Sequence, residues 1–79
     1  MPLPPFDMAG FAQRLRHARQ AAGLTQVALA AALGAHQGWI ARLEKGDATH
    51  IQADTLWRLC VALHVSADFL LGLCQKDAL

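Results

Sequence analysis

Charge is what this chain has least of. Asp, Glu, Lys and Arg make up 16% of it, the net charge is +1, and no formal charge falls between residues 20 and 41. An uncharged run of that length raises a membrane span. It holds three Gln, a Thr, a His and three Gly, however, and its apolar residues are mostly Ala and Leu in two helical phases, which argues against one. Cysteine is nearly as scarce. Cys60 falls in a helical pattern beside Leu59 and Leu63 and reads as a small core hydrophobe, Cys74 lies in the tail, and no structural disulfide is expected. Histidines 17, 36, 50 and 64 keep no metal-ligand spacing and have no carboxylate cluster to help them, so neither a metal nor a cofactor is expected. The carboxylates are scattered and no nucleophile stands at useful spacing from a base, so the chain does not read as an enzyme. The opening MPLPPFDMAG has no basic region and no long apolar run, which argues against a signal peptide and for the cytoplasm.

Seventy-nine residues make one domain, and a domain this small buries only about 60–65% of its unfolded surface. These residues leave no room for a second catalytic or ligand-sensing domain. Hydrophobic residues are 54% of the chain, inflated by alanine yet above the roughly 45–50% of an average domain, so some apolar surface is expected to remain for a partner. Residues 1–45 hold five Arg or Lys against two acids, a balance of +3, whereas residues 46–79 hold two against four, a balance of −2. A basic half this weak does not by itself point to nucleic acid.

The stretch from Thr25 to Gly46 carries the signal. Thr25 is suited to cap a helix that continues through Leu33, with Leu29 and Leu33 on one face and small Ala30 beside them, and Gly34 can stop it in the left-handed conformation. A second helix over His36 to Lys45 turns Ile40 and Leu43 inward and leaves Gln37, Gly38, Ala41 and Arg42 outward. Two short helices joined by a sharp turn form a helix-turn-helix, whose second helix can lie in the major groove of DNA.

In these residues the chain resembles the Cro and phage-repressor type of helix-turn-helix, the xenobiotic-response-element (XRE) family. The matching pattern is Arg19, Gly23-Leu24-Thr25-Gln26, Leu29-Ala30, Leu33-Gly34, Ile40, Leu43-Glu44-Lys45-Gly46, Leu56, Leu63, Val65-Ser66 and Leu70, within about residues 11 to 72. The resemblance implies an all-α, five-helix, lambda-repressor-like DNA-binding domain with the helix-turn-helix at its centre. It also implies that Arg19 pairs with Glu44, tying helix one to the end of the recognition helix, and that Gln26 contacts a phosphate while supporting Gln37.

Side-chain chemistry suits these roles. An amide both donates and accepts, so Gln26 can bond a phosphate oxygen and orient a neighbour, while Gln37 can bond adenine N6 and N7 together. Arg42 can reach a guanine or a phosphate, and Gly38 lets the helix backbone come close. His36 stands where a capping Ser or Thr is common, and either touches a phosphate or simply begins the helix. Trp39 lies next to Ile40, where its bulk half-covers the core or its indole N–H donates to the DNA backbone. In the following loop Asp47 opposes phosphate, leaving Thr49 and His50 as the weaker contacts.

Around this unit, residues 1–7 read as an arm, because Pro2, Pro4 and Pro5 keep a helix from starting and Asp7 can cap the next one. No Lys or Arg precedes Arg14, so a loose or partner-packed arm is expected in place of one reaching around DNA. Residues 8–72 form the DNA-binding domain. Its first helix is expected over Met8 to Ala22, burying Phe11, Leu15, Ala18 and Ala22, with Arg14, Arg16, His17 and Gln20 mainly outside. A fourth helix over Ala53 to Leu63 should bury Leu56, Leu59, Cys60 and Leu63. Ser66 should cap a last helix over Ala67 to Leu71 that stops at Gly72, and residues 73–79 are a tail.

Trp57, Phe69, Leu71 and Leu73 remain as an apolar surplus. Ordinary scatter accounts for some of it, and the sharper reading is a twofold homodimer through the C-terminal helix. The sequence therefore reads as a sequence-specific transcriptional regulator, a repressor binding double-stranded DNA at a short palindromic operator. Two alternatives stay open. One is the antitoxin of a toxin–antitoxin pair, with a protein partner on the C-terminal apolar face; the other is a protein-interaction module that has kept the fold without DNA binding.

Overall fold

Three helices of this chain begin where a short polar side chain takes up an orphan backbone donor. The computed structural model describes residues 2–48 and 50–74, and among them the elements are α1 (Met8–Ala21), α2 (Gln26–Leu33), α3 (Gln37–Lys45), α4 (Ala53–Leu63) and α5 (Ala67–Leu71). Asp7 Oδ1 accepts from the Gly10 amide at 2.9 Å, Thr25 Oγ1 from Ala28 at 3.0 Å and Ser66 Oγ from Phe69 at 3.0 Å. Each such cap is worth about 1 kcal/mol. His36 and Gln52, which precede α3 and α4, make no side-chain cap bond.

The stops set the angles between helices. Gly34 takes φ 67° after α2, and Ala35 N–H reaches back to Ala30 O at 2.8 Å, so the chain reverses within a few residues and α3 can pack on α2. At Gly46, with φ 77°, a side chain's first carbon would lie 3.7 Å from Ala9 Cα, so the end of α3 sits close against the start of α1. The α4 stop is His64 at φ 60°, the one non-glycine residue with positive φ among those described. An L-residue held there costs roughly 1–2 kcal/mol, and no glycine marks this stop in the sequence.

The helices close around one core. Phe11 and Leu15 of α1, Leu29 of α2, Ile40 and Leu43 of α3, Leu59 of α4 and Leu70 of α5 are all but inaccessible to solvent. Helix α1 lies across α3 and α5, while α4 packs on α2 and α5. Buried Ala18 and Ala30 keep the helices close, and Cys60 fills the core as a small hydrophobe, burial pushing its thiol pKa up. Cys60 and Cys74 are not joined in a disulfide.

Several expectations about burial need correction. Ala22 is exposed, because α1 ends one residue earlier and Ala22 is its C-cap, already turning away from the stripe; Ala12 is buried in its place. Leu56 is half-buried, packed against the core from its edge. Arg14 lies off the stripe as expected but is not idle: its Nε donates to Leu70 O at 2.9 Å, tying α1 to α5. Helix α3 starts at Gln37, with His36 as its N-cap. Among the described residues no helix is long and apolar enough to cross a membrane.

Candidate nucleic-acid interface

One connected set of side chains runs from the protein interior to the exposed start of α3. Its root is Glu44, whose side chain has no solvent exposure. Arg19 grips it with two bonds, Nε to Oε2 at 2.6 Å and Nη2 to Oε1 at 3.0 Å, and donates a third from Nη1 to Leu24 O at 2.9 Å. This is the Arg19–Glu44 pair that the resemblance implies, and it is bidentate. Arg16 adds a looser contact, with its Nε 3.5 Å from Glu44 Oε1. Burial alone would raise the Glu44 pKa. Hydrogen bonds from Arg19 and then Gln26, together with the charges of Arg19 and Arg16, outweigh that and hold the carboxyl below its usual range. Arg19 is held above its ordinary value, first by its hydrogen bond to Glu44.

The set then leaves the interior through two amides. Gln26 Nε2 donates to Glu44 Oε1 at 3.2 Å, and Gln37 Nε2 donates to Gln26 Oε1 at 2.7 Å. Chemistry dictates the direction of both bonds. An ionised carboxylate only accepts, so Gln26 must turn its NH2 group to Glu44 and its oxygen to Gln37. Gln37 must then donate in turn, which leaves it one N–H and its carbonyl oxygen for a partner. That is the donor–acceptor pair that matches adenine N6 and N7. The buried ion pair at the end of α3 thus orients an exposed amide at the start of the same helix, through Gln26 of α2.

The other expected contact residues fall around this amide. His36, Gln37, Gly38 and Arg42 are exposed, while Ala41 is half-buried. Trp39 is half-buried and packs against the core, in keeping with its position beside Ile40, and its other side lines a cleft with Thr55 and Arg58 of α4. Thr49 lies outside the described residues. Arg58 is not among the residues that the sequence singles out, because it stands in the acidic half of the chain.

Gly38 is informative for what does not surround it. A side chain's first carbon at this position would meet nothing within 4 Å, and the φ is not in the left-handed region, so nothing in the protein requires glycine there. Glycine inside a helix costs roughly 0.5–1 kcal/mol relative to alanine. Gly38→Ala is therefore expected to stabilise the free protein by about that amount in equilibrium unfolding, and to weaken DNA binding in titration, because the added methyl group meets the groove. Unchanged affinity would show that DNA does not approach Gly38.

A short, exposed helix positioned by a tight turn, with a braced amide at its start, defines a DNA-binding helix-turn-helix unit. The helix-turn-helix domain family profile matches residues 11–70, and the chain belongs to that family. It is similar to the restriction-modification controller protein C.AhdI from Aeromonas hydrophila, with 31% identity and a TM-score of 0.74 over 81% of this chain and 96% of that one. It is also similar to part of apo-HppE, with 28% identity and a TM-score of 0.77 over 81% of this chain but only 35% of that one. No curated protein matches the sequence. The family and the likeness to C.AhdI make the chain, helical throughout its regular structure among the described residues, a DNA-binding regulator of the XRE-like type.

Proposed function

We propose that this chain is a transcriptional repressor that acts in the cytoplasm, binding a short palindromic operator as a homodimer and reading it with Gln37 and Arg42. The observation that carries this reading is the braced amide. Gln37 is exposed, yet its orientation is set by Gln26 and through it by the buried Arg19–Glu44 pair. An ordinary surface glutamine has no such support. Similarity to a restriction-modification controller agrees with a role in controlling transcription, and occlusion of a promoter is the simplest outcome for a domain of this size.

The dimer rests on exposed apolar side chains. Trp57 is 65% exposed, Val61 54% and Leu73 73%, and the first two lie one turn apart on the outer face of α4. Phe69 and Leu71, expected at the interface, are half-buried: Phe69 packs on the core and Leu71 lines a cleft with Phe6, Met8, His50 and Ile51. The proposed interface therefore centres on α4, with Trp57 as its anchor, and α5 at its edge. A twofold axis there would set two recognition helices about one DNA turn apart, roughly 34–36 Å.

Selection from random DNA, followed by sedimentation with and without the selected duplex, tests this. The expected result is a two-fold symmetric site with half-sites about one helical turn apart and a dimer at tens of micromolar protein that Trp57→Ala weakens. A selected site without symmetry, or a monomer under all conditions, would remove the dimer. Recovery of no preferred sequence would remove sequence-specific repression.

A further inference from the structure

The cleft beside Trp39 has walls from two parts of the fold that the sequence keeps apart. Leu33, Gly34 and Ala35 of the turn form one side, Trp39 of α3 the floor, and Thr55 and Arg58 of α4 the other side, enclosing about 190 Å³. It is open to solvent, and it lies within one helical turn of Gln37, at the end of α3 that would enter the groove first. Arg58 is its only formal charge. One guanidinium N–H donates to Leu33 O at a long 3.4 Å. No carboxylate among the described residues pairs with it, although Asp54 stands one turn earlier on the same helix. A guanidinium has five N–H donors in a planar fork, so most of this one remains available to an acceptor.

We infer that this cleft is a docking site for a DNA backbone phosphate, with Arg58 supplying the charge, the Thr55 hydroxyl a second donor and Trp39 an apolar floor beneath them. The inference rests on the DNA-binding reading and extends its footprint from α3 to α4. Three features favour an oxyanion over an apolar ligand: a cation that no carboxylate among the described residues pairs with, a neighbouring hydroxyl, and a mixed polar and apolar lining with no acid in it. The position favours phosphate of DNA over a free anion, since a duplex whose groove holds the start of α3 carries its backbone along the flank of that helix. The weak net charge of the chain also becomes less puzzling. Folding moves Arg58 out of the acidic half and places it beside the basic recognition helix.

Phosphate binding and base reading leave different marks in titration. Arg58→Ala, measured with the full chain against the selected operator and against random DNA, is expected to weaken both by the same factor, about tenfold or more per site for a charge-assisted bond. The slope of log affinity against log salt should fall by about 0.9 for each phosphate that is no longer neutralised. Arg58→Lys should restore most of the salt slope, and Thr55→Val should weaken both DNAs by a smaller equal factor. Unchanged affinity and slope in Arg58→Ala would overturn the site. So would weakening confined to the operator, which would make Arg58 a base reader, or inorganic phosphate quenching Trp39 in a Trp57→Phe background while Arg58→Ala leaves DNA binding intact. Absence of saturable DNA binding by the wild type would instead remove the reading beneath it.

Discussion

Arg19→Ala is expected to remove about 3–5 kcal/mol of folding stability, because it strands the Glu44 carboxylate in a place that water does not reach. The Glu44 side chain has no exposure and that of Arg19 is 12% exposed, so this is a buried pair in which removing one member leaves the desolvation cost without its compensation. A domain of this length has a total stability of about 4–12 kcal/mol, so the loss is a large share of the whole. Chemical denaturation of the wild type and Arg19→Ala measures it directly, and a difference under about 1 kcal/mol, the scale of an exposed pair, would contradict burial as the source. Acid should reproduce part of the effect. The folded-state pKa of Glu44 is lowered, so its stabilisation is complete above the ordinary glutamate value and declines as pH falls below that value toward the folded one. The opposite trend, stability rising as pH drops through this window, would mean that the carboxylate is not held as described. Because Gln26 leans on the same carboxylate, residual folded Arg19→Ala should also bind DNA less selectively.

Gln37→Ala is expected to leave the fold intact and to damage recognition. The residue is exposed, its removal frees Gln26 Oε1 to water, and a surface change of this kind shifts stability by only about 0.5 kcal/mol or less. A bidentate amide–adenine pairing is worth about 1–3 kcal/mol, and on a two-fold site it is made twice, so operator affinity should fall by roughly 30-fold to 10⁴-fold. Binding to random DNA should barely change, since the phosphates keep all their partners. The sharper check uses mutated operators. The wild type should discriminate against replacement of the contacted adenine, and Gln37→Ala should bind the original and replaced operators alike. Equal discrimination by both proteins would place the base-reading group elsewhere on α3.

These two residues also show how unevenly the chain discloses itself. Helix limits were legible almost to the residue, because Asp7, Thr25 and Ser66 are strong caps and Gly34, Gly46 and Gly72 are natural stops, all of them local chemistry. Ala22 misled for the complementary reason. Periodicity continued the stripe of α1 by one more turn, while the helix ended just before it. His64 carried a weaker signal, since histidine enters the left-handed region more often than most residues but far less readily than glycine, and no glycine marks the end of α4. Phe69 and Leu71 read as surplus apolar surface because composition counts apolar residues without saying how far the chain covers each one; both are half-buried.

Local sequence was enough for five helices, their caps, the helix-turn-helix and the identity of the residues facing outward on α3, because each depends on neighbours within one or two turns. The direction of the Gln37 amide, the emergence of Arg58 beside Trp39 and the exposure of Trp57 and Val61 as one face depended on helices far apart in the chain coming together. Hydrogen-bond polarity, cleft lining and burial are properties of surfaces in contact. They acquire values only when α1, α3 and α4 have packed.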